Sequence, residues 1–181
     1  MINSLPAFWA VIPAAGVGAR MAADRPKQYL QLGGRTILEH SLGCFLDHPN
    51  LKGLVVSLAA DDPYWPSLAC AADPRIVRAD GGSERSGSVL NALLQLNALG
   101  ASDDDWVLVH DAARPFASVA LFRGVLSAAR ATGCAGAFLD PEVPVARIGG
   151  GFVLQGFERD EVAVFQSPQV LARALLLDLI A

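Results

Sequence analysis

Lysine is nearly missing from this chain of 181 residues. Lys27 and Lys52 are the only two, and lysine plus arginine (14) fall short of aspartate plus glutamate (18), leaving a net charge of −4. That deficit excludes the basic footprint of a nucleic-acid binder and the polybasic patch of a membrane-surface protein. Cysteine is equally sparse. Cys44, Cys70 and Cys134 stand far apart, with no Cys-x-x-Cys pair and no Cys/His spacing suited to zinc. They read as buried, free thiols in a reducing compartment. Long apolar runs are absent too: the stretch 171–181 is broken by Arg173 and Asp178 and is too short to span a bilayer. The N-terminus lacks the basic n-region and small-residue cleavage site of a secretory signal. A cytoplasmic protein is the expectation. Charged residues make up 18% against 52% apolar, which excludes intrinsic disorder and supports one sizeable core without disulfide or metal staples.

What is present alternates. Phe8 to Ile12 is an unbroken apolar run ending at Pro13, the pattern of a strand buried on both faces. Thr36 is placed to cap a helix with apolar positions Ile37, Leu38, Leu42, Phe45 and Leu46, closing before Pro49. Strand runs at 54–58, 76–77, 106–109 and 134–139 alternate with helical patterns over 89–96 and 121–131. This rhythm predicts a three-layer α/β fold with a doubly wound, mostly parallel sheet. After Pro141 the pattern changes to short runs at 143–145, 152–154 and 162–165, separated by Gly149 to Gly151 and Glu158 to Asp160. We expect a small β-arm over approximately 141–165 on a single domain of 1–181, then a final helix from Val170.

Ligands of open α/β sheets bind beyond the carboxyl ends of the strands, and the loops there are unusual. The first is Pro13-Ala-Ala-Gly-Val-Gly-Ala-Arg-Met21, continued by Pro26-Lys-Gln-Tyr29. Small residues with Gly16 and Gly18 let backbone N–H groups approach an anion. Arg20 and Lys27 supply the fixed positive charge that a polyphosphate requires. The plainer reading is a tight turn with a solvated lysine. A dinucleotide fingerprint is excluded by Met21, which stands where the third glycine is needed, and no Gly-Lys-Ser/Thr completes a Walker loop.

The second loop is His110-Asp-Ala-Ala-Arg-Pro115. Asp111 is suited to hold Mg²⁺ against phosphate oxygens, the alternative being a turn-capping Asp paired with Arg114. Arg114 either braces the loop or meets a phosphate. His110 reads as a packed, hydrogen-bonded histidine, and His40 and His48 as residues on or beside a helix with no metal pair. The third stretch, Gly81 to Val89, offers glycine backbone and serine hydroxyls for a base edge, or else a plain N-cap at Ser83 or Ser86. No Gly-x-Ser-x-Gly elbow supports a serine hydrolase.

Together, Pro13 to Met21 with Pro26-Lys-Gln-Tyr29, Gly81-Gly-x-x-Arg85-x-x-Ser88-Val89 and Val109-His-Asp-Ala-Ala-Arg-Pro115 resemble, in that order, the 2-C-methyl-D-erythritol 4-phosphate cytidylyltransferases. These are Rossmann-like nucleotidyltransferases of the non-mevalonate isoprenoid route. The resemblance implies attack of a substrate phosphate on the α-phosphorus of CTP with release of pyrophosphate. It implies Arg20 and Lys27 as the transition-state cations, and residues Pro13, Ala14, Ala15, Gly16 and Gly18 around the triphosphate. It further implies Gly82 and Ser88 at the cytidine, and Asp111 as ligand of a Mg²⁺ cofactor. Arg114, Arg159 and Ser167 fall to the acceptor methylerythritol phosphate. In the family, the arginine matching Arg159 reaches across from a neighbouring subunit's β-arm, so the resemblance implies a homodimer and makes the arm a dimerisation element.

The chain departs from the family after Val145, where Ala146-Arg-Ile-Gly replaces a basic residue followed by Asp-Thr, and Ser167 stands for a threonine. The family's C-terminal part, with its late lysine, is not found before Ala181. Two alternatives follow: a cytidylyltransferase for another polyol phosphate such as ribitol 5-phosphate, or a CTP-binding regulatory module without turnover.

Overall fold

The computed structural model describes residues 5–16 and 25–180. The first buried run forms β1 (Phe8–Pro13); a 3₁₀ turn (Lys27–Tyr29) then precedes a two-stranded hairpin of β2 (Gln31–Leu32) and β3 (Arg35–Thr36). Thr36 then caps α1 (Ile37–Leu46). Its hydroxyl accepts from the Glu39 N–H while the Glu39 carboxylate accepts from the Thr36 N–H, a reciprocal capping box. β4 (Leu51–Leu58), β5 (Ile76–Asp80), α2 (Arg85–Ala98), β6 (Trp106–Val109), α3 (Val119–Thr132) and β7 (Cys134–Leu139) complete the alternation. Gly133 ends α3 in the left-handed conformation, with φ 85°.

β1, β4, β5 and β6 run parallel in a six-stranded sheet of order β5-β4-β1-β6-β10-β7, where β10 (Val164–Ala172) lies antiparallel between β6 and β7. The chain winds outward from β1 to β5, then crosses back to place β6 on β1's other edge. The crevice at the carboxyl ends of β1 and β6 is therefore the topological switch point.

Alternating side chains supply two cores. Phe8, Ala10, Ile12, Leu54, Val56 and Leu108 face one way, against Leu38, Leu42 and Phe45 of α1 and Phe122 and Leu126 of α3. Trp9, Val11, Val55, Val107 and Val109 face the other, against Val89, Ala92, Leu93 and Leu96 of α2 and Leu176 of α4 (Arg173–Ile180). Three layers result. With each buried aliphatic or aromatic side chain contributing about 1.5–3 kcal/mol, the scaffold under the loops is stiff.

Four expectations change. Val170 does not begin a helix: residues 169–172 pair with β6, residues 169–171 also pair with β7, and α4 starts at Arg173. Burial between two strands outweighs the helical tendency of the run. The arm is a two-stranded hairpin of β8 (Val145–Gly149) and β9 (Phe152–Phe157), while the 162–165 run leads into β10. The cysteines are free but not buried, since Cys44 and Cys70 are half-buried and Cys134 is exposed at the start of the β7 edge strand. Neither Ser83 nor Ser86 caps α2, because Glu84 holds the cap position without a side-chain bond.

Candidate active site

A cavity of about 830 Å³ opens at the switch point, within the roughly 300–1,000 Å³ usual for small-molecule sites. Its lining draws on three loops. Pro13, Ala15, Gly16 and Lys27 come from the first, residues 82–85 and Ser88 from the second, and residues 111–114 from the third. Of the residues named from sequence, the structure therefore gathers Pro13, Ala15, Gly16, Lys27, Gly82, Ser88, Asp111 and Arg114. Ala14 lies just beneath, 3% exposed, with its N–H donating to Ser57 O at 2.8 Å. Gly18 and Arg20 lie outside the described residues. Ser167 and Arg159 are elsewhere. Ser167 borders an adjoining apolar cavity with Phe116, Phe138 and Gln166, and Arg159 lines a third cavity with Pro144 and Phe157 at the arm.

The second loop curls tightly because glycine permits it. A Cβ on Gly82 would stand 2.7 Å from the Gly87 carbonyl carbon. The Ser88 hydroxyl accepts from the Gly82 N–H at 3.0 Å and donates to Glu84 O at 3.1 Å, so it holds the curl at the start of α2. The N-terminus of a fourteen-residue helix thus borders the cavity and favours negative charge there.

The third loop rests on a buried relay. His110 is fully buried, and its Nε2–H donates to Arg114 O at 2.9 Å. That leaves Nδ1 to accept from the Ser167 hydroxyl at 3.1 Å, while Ser167 Oγ accepts from the Asp111 N–H at 3.2 Å. Burial holds the His110 pKa below its ordinary value, matching a neutral ring with one donor and one acceptor. The Ser167 hydroxyl thereby serves the loop from behind.

Asp111 projects between two arginines. Arg85 Nε donates to Oδ1 at 3.1 Å and Arg114 Nε to Oδ2 at 3.1 Å, while Arg114 also contacts Gln166. Burial alone would raise the Asp111 pKa, but the Arg85 and Arg114 charges outweigh it and hold the carboxyl below its usual value. With Glu84, the described lining carries two carboxylates against Lys27, Arg85 and Arg114, a balance that favours an anion.

Among the described residues no group of three or more His, Cys, Asp or Glu side chains is placed to cage a metal. One ionised carboxylate facing a nucleotide-sized cavity nonetheless fits Mg²⁺, which takes one or two protein carboxylates and completes its shell with phosphate and water.

Sequence reasoning missed two participants. Arg85 was visible only as part of a motif, since its pairing with Asp111 spans 26 residues. Gln28 is 3% exposed and donates from Nε2 to Ala14 O at 2.7 Å and Gly16 O at 3.1 Å. A glutamine between two functional-looking residues carries no local signal of burial.

A mostly parallel sheet with an anion-favouring cavity at its switch point defines a Rossmann-like nucleotidyltransferase fold. The sequence matches the family model for 2-C-methyl-D-erythritol 4-phosphate cytidylyltransferase over residues 8–181. The chain belongs to that family. Among curated relatives bearing this name, one from Pseudomonas fluorescens SBW25 is 94% identical over 115 residues, 64% of this chain and 49% of the relative. One from Pseudomonas syringae pv. tomato is 83% identical over the same span. The chain spans about half the length of the curated relatives it matches. The crystal structure of the Francisella tularensis enzyme superposes with a TM-score of 0.79 at 30% identity, covering 95% of this chain and 75% of that one. That from Thermus thermophilus gives 0.68 at 32%, covering 95% and 73%.

Proposed function

We propose that this protein is a Mg²⁺-dependent cytidylyltransferase that transfers CMP from CTP to 2-C-methyl-D-erythritol 4-phosphate and releases pyrophosphate. The observation that carries the reading is the convergence of the glycine loop, Lys27 and Asp111 on one cavity of nucleotide size. The curated relatives named for this activity support it.

The chemistry asks for little proton transfer. An acceptor phosphate is already an anion at neutral pH, so no general base is required. Catalysis reduces to aligning two polyanions and stabilising charge on the pentavalent phosphorus. Backbone of residues 13–16 approaches the triphosphate closely because its side chains are small. The Lys27 ammonium, on an exposed side chain rooted in a hydrogen-bonded turn, stabilises the charge that passes to the leaving pyrophosphate. Arg20 shares this role by family resemblance. Asp111 would hold Mg²⁺, which would supply Lewis-acid charge to the phosphates. Arg85 and Arg114 keep Asp111 ionised and ready for it.

A homodimer belongs to the reading. The hairpin leaves Ile148, Phe152, Val153 and Leu154 between 61% and 75% exposed, apolar surface of the kind that partners cover. Arg159 beside it is remote from its own chain's cavity, which favours delivery to a second copy's acceptor site. Free cysteines favour a cytoplasmic location. Among the described residues no helix is long and apolar enough to cross a membrane.

The test is pyrophosphate release by the purified chain with CTP and Mg²⁺ against a panel of polyol phosphates. Release with methylerythritol phosphate, in preference to ribitol 5-phosphate, is expected. CTP binding without release would replace the enzyme by a regulatory module.

A further inference from the structure

We propose that Gln28 is the positioning residue that joins the glycine loop and Lys27 into a single phosphate cradle. The inference rests on the nucleotidyltransferase reading and adds to it a residue that touches neither substrate nor metal.

The turn carrying Lys27 is tied on three sides. The Leu30 carbonyl accepts from the Ile37 N–H at 3.0 Å, fixing the turn to α1. The Tyr29 hydroxyl donates to Asp62 at 2.8 Å, anchoring it to the segment after β4. Burial and the Asp62 carboxylate hold the Tyr29 pKa far above its ordinary value, so it remains a donor throughout the working pH range. Neither tie reaches the glycine loop. Gln28 does, through the bonds to Ala14 O and Gly16 O.

Two donors on one nitrogen, spent on alternate carbonyls, fix the loop's direction as well as its distance. In a trans peptide the C=O and N–H point opposite ways, so drawing Ala14 O toward Gln28 turns the Ala15 N–H away from it. Ala15 and Gly16 line the cavity, whereas Gln28 stands behind them. The Ala14 N–H is held by Ser57 O, but a Cβ on Gly16 would meet nothing within 4 Å, so packing does not fix Gly16 as it does Ala14. Only an amide suits the position. A carboxylate of the same size would set oxygen against two carbonyl oxygens, and a thioether would fill the space without donating.

The experiment compares CTP with CMP, because CTP offers the cradle two phosphates that CMP lacks. Binding of each nucleotide is measured by calorimetry with Mg²⁺ present, for the unsubstituted chain and for Gln28→Met, Gln28→Glu and Tyr29→Phe, with folding followed by thermal melting. We expect Gln28→Met to weaken CTP by about tenfold to a hundredfold, as for the loss of one buried and one part-buried hydrogen bond. CMP binding is expected to stay within about threefold. kcat should fall with the CTP affinity, because Lys27 loses its register with the phosphates. Gln28→Glu should be more severe, and Gln28→Met answers the question if the Glu variant does not fold. Tyr29→Phe should lower the melting temperature yet keep the preference for CTP.

Equal weakening of CTP and CMP by Gln28→Met, or no change in either, overturns the assignment. So does a loss of CTP preference in Tyr29→Phe as large as that in Gln28→Met. If the unsubstituted chain fails to prefer CTP over CMP, the functional reading falls along with it.

Discussion

Gly81, at the start of the second loop, lies against Ala15 of the first, and that contact allows a sharp perturbation. An added Cβ at Gly81 would lie 2.1 Å from the Ala15 Cβ and 3.2 Å from Leu58 O. Ordinary carbon–carbon contact is about 3.5–4.0 Å, so one wall must retreat by roughly 1.5 Å in Gly81→Ala. Neither wall is free to do so. Gly81 N–H donates to Leu58 O at 2.7 Å and Ala14 N–H to Ser57 O at 2.8 Å, so both loops hang from the end of β4. Overpacking of this kind costs about 1–3 kcal/mol. At roughly 2–4 °C per kcal/mol for a chain of this size, the melting temperature should drop by several degrees. A displacement near 1 Å in a positioning wall costs about 10²-fold in rate. Melting curves and pyrophosphate release test both figures. Gly124→Ala serves as the control: it lies exposed inside α3 with nothing within 4 Å of its added Cβ, and should stabilise by about 0.5–1 kcal/mol. A Gly81→Ala protein with unchanged melting and turnover would refute the argument that these walls are in contact and immobile.

Lys27→Ala should lower kcat by about 10²-fold or more with little change in KM, because its charge matters most as the phosphorus becomes pentavalent. A change confined to KM would point instead to ground-state binding. Ser167→Ala leaves both the Asp111 N–H and His110 Nδ1 without a partner, and should destabilise by about 1–3 kcal/mol in chemical denaturation. His48 is 5% exposed, with Nδ1 accepting from the Asn50 N–H at 3.2 Å. Burial and then the Arg123 charge hold its pKa below 6.5 when folded. The unfolded chain therefore takes up a proton first as pH falls. Its stabilising contribution is full above about pH 6.5, declines below it by at most about 1.4 kcal/mol per pH unit, and levels off beneath the folded pKa. His48→Gln should flatten that part of the stability profile.

Local signals carried the fold far because its central strands, β1, β4 and β6, are buried on both faces. Runs such as 8–12, 54–58 and 106–109 have no other stable home, and the Thr36 cap is written within a few residues. Val170 defeats that logic, since its run suits helix and strand equally and only the slot between β6 and β7 decides. The site divides the same way. Lys27, Gly82, Ser88 and Asp111 sit in motifs whose composition signals chemistry. The Arg85–Asp111 pair and the Ser167–His110 contact span 26 and 57 residues, distances that no local pattern encodes. Gln28 was in plain view within Pro26-Lys-Gln-Tyr29, yet burial made it a brace, and burial is a property of the folded chain. Arg159 marks a different boundary: it stands at the arm with Pro144 and Phe157 and does not line the cavity at the switch point, a placement that its position in the sequence does not reveal.

In the proposed reaction the acceptor attacks the innermost phosphorus of CTP within this cavity. Tracking isotopic label tests it most directly, with the purified chain, Mg²⁺, methylerythritol phosphate and CTP labelled at either the α- or the γ-phosphorus. The expected result is that α-label passes into the organic diphosphate product while γ-label leaves as pyrophosphate. Label from the γ-position appearing in the acceptor, or released as single phosphate, would contradict it.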